Sequence, residues 1–463
     1  MPDYSKMTRS RSNRYTFYCF LSVIAFLLSI LGSPLFLSGQ IVFSGDFDGK
    51  LEYLNLRRTL PDSLRNKTIG FLGSGELDLE INRRRWNAFI SLFGTYTRET
   101  DLYTKNVPAA YSLNFYQAWF RYFLTQNFSL QAGRIEIEYD DERFFQARDW
   151  GNLVTTHNAI IAHYLVPDTG TMADLGFAVN NFNRQFSLFG TDPSVNNYRY
   201  MGYVYFYKRL FENQLKLTFT DIFDANDNGI SHSVLYGRST LGLSSWLSLS
   251  DWDINLAGFY QFGHIPDGRM LTSGYYALYV SYQPFDWLNI MPAFEHLSGD
   301  DLSDSLAWRN HVHGFSLLYG NVTRSFGKSG IFNYSLRSNL HPGLNNLYLQ
   351  LTFDFSDKIS LEANYHWFSI PHPYVREYVP DSNRFMIVRV NPSFLHQAEL
   401  TLTYTPIPSL EITLDYSLLF PGEGMKNYNG WNFTSGSPVS FSYLEIEWTP
   451  VFYPSGKKKK IID

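Results

Sequence analysis

The sequence predicts an all-β protein, a single antiparallel up-and-down transmembrane β-barrel of about 18 strands. Three observations predict it. Hairpins of alternating apolar and polar residues recur along the chain, their connections alternate between short turns and long loops, and Phe, Trp and Tyr make up 18% of residues. A period of two places one set of side chains on each face of a strand, as a wall between lipid and water requires. Short periplasmic turns, long extracellular loops and aromatic girdles are the accompanying signature.

The N-terminus reads as a secretory signal. Lys6, Arg9, Arg11 and Arg14 precede the apolar run Phe17 to Leu31, and Gly32, Ser33, Pro34, Ser38 and Gly39 follow. The rival reading is an uncleaved anchor, since Phe17 to Leu37 is just long enough to span a bilayer. The expected organisation is a signal peptide at 1–39, a barrel at 40–453 and a short basic tail at 454–463. No later segment is apolar for long enough to cross as a helix, so membrane insertion requires a closed barrel. Cys19 lies in the signal, which leaves no thiol for disulfides, Cys metal sites or a Cys nucleophile. Residues 1–39 carry four basic groups and Asp3, so their removal takes the net charge from −5 to −8. That excludes a polycationic nucleic-acid surface.

The first strand is expected by about Phe47, with Asp46 and Asp48 solvated ahead of it and no room for a plug domain. The alternation is cleanest in Leu347 to Phe355, the turn Ser356-Asp357-Lys358 and Ile359 to Trp367. Ala398 to Tyr404 with Leu410 to Leu418, and Tyr198 to Lys208 with Leu215 to Phe223, repeat it. Short turns are expected near 82–85, 125–127, 209–213, 248–251, 284–286, 356–358 and 405–409. Long connections are expected near 98–112, 139–156, 224–233, 261–272, 298–345, 369–395 and 420–439. Within 298–345, Phe315 to Tyr319 and Ile331 to Leu336 read either as strands or as parts of one loop. The loop reading makes this segment the candidate constriction.

The densest charges are Arg134, Glu136 and Glu138, alternating with Ile135 and Ile137, then Asp141, Arg143 and Arg148 in the following loop. Strand polarity sets the three charges against the isoleucines, and charge is tolerable only toward a wet lumen. The residues read equally as a solute-selecting constriction and as a ladder bracing the wall.

Other motifs carry less. Asp224 to Gly229 opens like a calcium loop but has Leu235 where a bidentate Glu is needed, so an Asn/Gly turn explains it better. His311 and His313 lack an evident third ligand, and no metal site is expected. His296, leading to Ser298 and Asp300, is the least implausible start for a hydrolase, but no Gly-x-Ser-x-Gly elbow frames it. No catalytic residue and no cofactor are expected.

The run Leu130-Gln131-Ala132-Gly133-Arg134 with Glu136, then Asp141-Glu142-Arg143, Asp149-Trp150 and Asn152, resembles the alginate-export porin family. Leu297-Ser298-Gly299-Asp300-Asp301, Leu318-Tyr319-Gly320, Asn345 to Leu349 and Leu418 to Gly422 are similar to its later landmarks, in family order from about 117 to 449. The resemblance implies an 18-stranded outer-membrane barrel with a polar lumen and, for its best-known members, export of an anionic polysaccharide. It adds Asp300 and Asp301 to the candidate solute-contacting residues. The mixed signs of the charged segment argue for carrying over fold and class without the polyanion.

The expected function is passive passage of small or polymeric hydrophilic solutes, with polysaccharide or oligosaccharide export as the polymeric case. Expected partners are the solute or polysaccharide, outer-membrane lipid and envelope export or uptake machinery, with a monomer favoured over a trimer. The rivals are a barrel hydrolase, a plugged ligand-gated transporter and an adhesive barrel without conductance.

Overall fold

A computed structural model describes residues 40–55, 67–101, 110–146, 156–180, 198–227, 234–301, 303, 310–332, 335–379, 384–425 and 438–454. The expected signal peptide, nearly all of the basic tail and Arg148 lie outside the described residues.

Eighteen strands form the wall. The first nine are β1 (Gln40–Asn55), β2 (Lys67–Asn82), β3 (Trp86–Asp101), β4 (Ala110–Phe123), β5 (Phe128–Ile135), β6 (His157–Val166), β7 (Thr171–Val179), β8 (Tyr200–Leu210) and β9 (Leu215–Asp227). The others are β10 (Leu235–Leu249), β11 (Trp252–His264), β12 (Met270–Phe285), β13 (Leu288–Leu297), β14 (Leu344–Ser356), β15 (Ile359–Ser369), β16 (Ser393–Ile407), β17 (Leu410–Pro421) and β18 (Val439–Trp448, continued by Val451–Pro454). Each pairs antiparallel with the next, and β1 closes on β18 from Phe47↔Trp448 to Asn55↔Ser440. Closure removes the sheet edges that a bilayer could not satisfy.

Outward parity is apolar. Leu243 (63% exposed), Leu175 (61%) and Ile160 (60%) would be costly on a soluble surface and are ordinary against lipid. At the turn end, Trp252 stacks on Tyr282 (4.3 Å) and Phe285 on Trp287 (5.3 Å). At the loop end, Tyr276 stacks on His296 (4.7 Å) and Trp367 on His396 (6.2 Å), so aromatic residues ring both interfaces. Leu243→Arg is expected to destabilise the barrel by about 2–4 kcal/mol in equilibrium refolding into vesicles. An unchanged midpoint would mean that this face does not meet lipid.

The expected short turns are present, and Pro167–Gly170 adds one that the sequence reading did not nominate. Two expected loops shorten. Segment 261–272 is a turn at 265–269, closed by Gly268 N–H donating to the Ile265 carbonyl at 2.9 Å. The polar residues suggested a loop, but Gln261 is an inward-facing wall residue on β11. Likewise Asp224 to Asp227 end strand β9 rather than forming a turn. Strand β1 starts at Gln40, so Asp46 and Asp48 lie within it, on the inward parity. Among the described residues of 298–343, Phe315 to Tyr319 and Ile331 to Leu336 are loop, apart from one bridge between Tyr319 and Phe145. The outer loop after β15 carries its own hairpin, Tyr374–Val379 with Arg384–Arg389.

Candidate functional site: the occupied lumen

Among the described residues, two segments leave the wall and pack into the lumen. The first follows β5. Gly133, at φ 139°, lets β5 approach β4 closely; a Cβ would lie 2.2 Å from the Ala118 carbonyl oxygen. The strand then ends at Ile135. Ile135 and Ile137 turn inward, each 3% exposed, into an apolar cluster with Phe144, Phe145, Phe315 and Tyr319. The sequence reading set the isoleucines away from the lumen. The register corrects that: Ile135 continues the inward parity of Ser129 and Gln131, and Arg134 falls on the outward parity with Ala132, opposite Ala118.

The second segment runs from Ser298 to Gly343. Leu317, Leu318, Val322, Phe326, Ile331, Phe332 and Leu336 pack into the same cluster, against inward wall residues such as Ile161, Met201, Phe259 and Phe368. Gly320 permits the crossing of the two loops, because a Cβ there would sit 1.9 Å from the Arg143 carbonyl oxygen. The short helix α1 (Val322–Phe326) begins at Asn321, whose side chain accepts from the Arg324 N–H. Beyond it, the backbone N–H of Lys328 donates to Glu399 (2.8 Å), and Nζ donates to Thr401 (2.6 Å) and pairs with Glu362 (3.4 Å). The segment therefore spans the lumen from β9–β11 to β15–β16.

Buried polar bonds fix it on the first side. Arg238 binds Asp224 through Nε and Nη2, both at 2.8 Å, and donates from Nη1 to Asn339 (2.6 Å). The Tyr319 hydroxyl donates to Asp224 (2.7 Å), and Gln261 donates to the Ser316 carbonyl (2.7 Å) while accepting its N–H (3.0 Å). Burial pushes the His341 imidazole down to about 4, so it is neutral, with Nε2–H donating to the Phe315 carbonyl (2.8 Å) and Nδ1 accepting from Gly343 N–H (3.0 Å). The native state prefers neutral His341, so loop docking is fully stable above about pH 6.5 and weakens as pH falls toward 4. Asp300, which burial pushes up, partly offsets this on acidification. Channel noise is expected to rise between pH 6.5 and 4, and His341→Gln to flatten that rise. A noise level independent of pH would remove His341 from loop docking.

The nominated residues separate. Arg134 is half-buried, with register partner Ala118, and its Nε donates to the Tyr116 carbonyl (3.0 Å). Glu136 accepts from Gln117 (2.8 Å), and Glu136 and Glu138 border a cavity of about 260 Å³. Asp141 borders a larger one of about 590 Å³ beneath α1. Arg143 is buried, ion-paired to Asp141, hydrogen-bonded to Tyr275 and held over the rings of Tyr275 (5.0 Å) and Tyr279 (5.6 Å). Asp300 accepts from His313 N–H (2.7 Å) at the loop base, beside Ser298, whose hydroxyl donates to the His313 carbonyl (2.6 Å). Asp301 is exposed and accepts from Ser303 (2.7 Å). His311 and His313 stack at 4.6 Å and share the Thr272 hydroxyl, and among the described residues no group of three metal-binding side chains occurs. His296 bonds Asn345 (2.6 Å) on the outward parity.

Polar faces that the sequence shows one hairpin at a time join into a wall of carboxylates facing the lumen, which the docked loop touches at Glu362 and Glu399. On inward parity β1 carries Asp46, Asp48 and Glu52, and β2 carries Glu76, Asp78 and Glu80. Glu362 comes from β15, Glu399 from β16, Glu411 and Asp415 from β17, and Glu445 and Glu447 from β18. Among the described residues, Lys50 and the loop's Lys328 are the ammonium groups on this wall. Lys50 pairs with Glu52 (3.3 Å) over the Tyr443 ring (3.8 Å). Each strand contributes an unremarkable polar face, so only the pairing order would have exposed the cluster.

The profile of the alginate export family matches residues 65–435. A BenF-like porin from Pseudomonas fluorescens Pf-5 is similar in structure, with a TM-score of 0.58 at 13% identity, covering 89% of this chain and 99% of that one. OccK2 (OpdF) of Pseudomonas aeruginosa gives 0.56 at 14%, covering 89% and 98%. The outer membrane protein opdK of the same organism gives 0.55 at 12%, covering 89% and 99%. At these identities the likeness shows the fold. No curated protein sequence matches the chain.

Proposed function

This chain belongs to the alginate export family, and from that premise we propose that its solute is a neutral or cationic hydrophilic molecule rather than a polyanion. It is an integral bacterial outer-membrane barrel and a passive channel, not an enzyme. The acidic wall carries the proposal: carboxylates along one side of a narrowed aqueous path concentrate cations and repel polyanions. The inward loops set the width of that path.

Of the nominated residues, Glu136, Glu138 and Asp141 are read as facing solute, with Arg134, Arg143 and Asp300 as braces and Asp301 at the outer face. Residues 1–39 serve as the export signal. The monomer is read as the working unit, as the family resemblance suggests. Liposome swelling tests the reading. Glucosamine is expected to enter several-fold faster than glucuronate, with glucose between them; equal or reversed rates would overturn it.

A further inference from the structure

The cavity beneath α1 has a volume of about 590 Å³ and lies toward the turn end of the lumen, in the path between the docked loop and the wall. Asn255, inward on β11 and 9% exposed, lines it, and neither its Oδ1 nor its Nδ2 has a hydrogen-bond partner. The Oδ1 of Asn364, on β15, is likewise buried without a partner while its Nδ2 donates to Glu362 (2.8 Å). An amide held away from water with both ends unsatisfied is costly, and native structures give such groups a partner. Asp253 adds an exposed carboxylate, and Trp246 and Tyr348 add aromatic surface.

We infer that this cavity binds a neutral saccharide, through the Asn255 amide, the Asn364 carbonyl and the Asp253 carboxylate, with Trp246 and Tyr348 beside the ring. The inference rests on the channel reading above and names a solute class for it. Hydroxyl groups both donate and accept, which is what an amide with two free ends needs; the other free oxygens need donors. Carboxylates at Asp141, Asp253, Glu362 and Glu399 outnumber Arg324 and Lys328 on the lining and disfavour an anion, while the amide groups call for hydroxyls. The volume falls within the roughly 300–1,000 Å³ of small-molecule sites, enough for a short oligosaccharide.

The test uses the full-length chain in planar bilayers, with maltotriose as neutral probe and glucuronate as anionic probe. Maltotriose is expected to block the ion current saturably. Asn255→Ala is expected to raise the half-blocking concentration about tenfold or more, each variant being normalised to its own open current. Glucuronate at equal concentration is expected to leave the current unblocked. An open channel that maltotriose does not block, a block unchanged in Asn255→Ala, or an equal block by glucuronate overturns the inference while leaving the channel reading in place. Absence of any conductance brings down both.

Discussion

Replacing Arg238 by Met is expected to release the loop from the barrel wall and widen the channel. The guanidinium holds Asp224 through two 2.8 Å bonds, Asp224 in turn accepts from Tyr319 on the loop, and Asn339 on the loop accepts from Arg238. Removing one partner of a buried pair leaves the other charge uncompensated, at a cost of about 3–5 kcal/mol. The barrel's interstrand bonds stay intact, so the loss falls on loop docking. Single-channel conductance should rise, open-channel noise should increase, and loop 313–343 should become sensitive to protease in a barrel that still migrates as folded. Asp224→Leu combined with Arg238→Met should recover much of the loss, because no buried charge is then left alone. A single variant with native conductance and an uncut loop would show that the apolar cluster alone holds the segment.

The second large effect concerns ion selectivity. The native channel is expected to prefer potassium over chloride several-fold at low salt, and Glu411→Gln, Glu445→Gln and Glu447→Gln together to bring the ratio toward one. These residues sit side by side across β17 and β18, through Glu411↔Glu447 and Thr413↔Glu445, and continue into β1 through Glu447↔Asp48. Raising the salt should erase the difference, since the screening length falls from about 30 Å at 0.01 M to about 3 Å at 1 M. Reversal potentials in a tenfold gradient measure both. Anion preference in the native chain would exclude the acidic wall from the conduction path.

The barrel and the rhythm of its connections are local properties that the sequence by itself determined, whereas the exact strand number waited on Phe315 to Tyr319 and Ile331 to Leu336 folding as loop. Alternation in Leu347 to Phe355 needs only the pleat and a wet and a greasy side, and turns such as Asp357-Lys358 need only their own backbone preferences. The loop landmarks Ser298, Asp300, Tyr319 and Gly320 were also legible, although their work is to anchor a loop rather than to meet solute.

The lumen was decided by tertiary structure. Arg238 meets Asp224 and Asn339 only after β9 and β10 pair and the distant loop folds back between them. Arg143 finds Tyr275 across the barrel interior, and the acidic wall exists only because β18 closes on β1. Strand periodicity says which face a residue takes. It carries no information on which strand will stand beside it, nor on whether an apolar loop will leave the outer surface to fill the space inside, because both depend on burial shared among residues far apart in the chain.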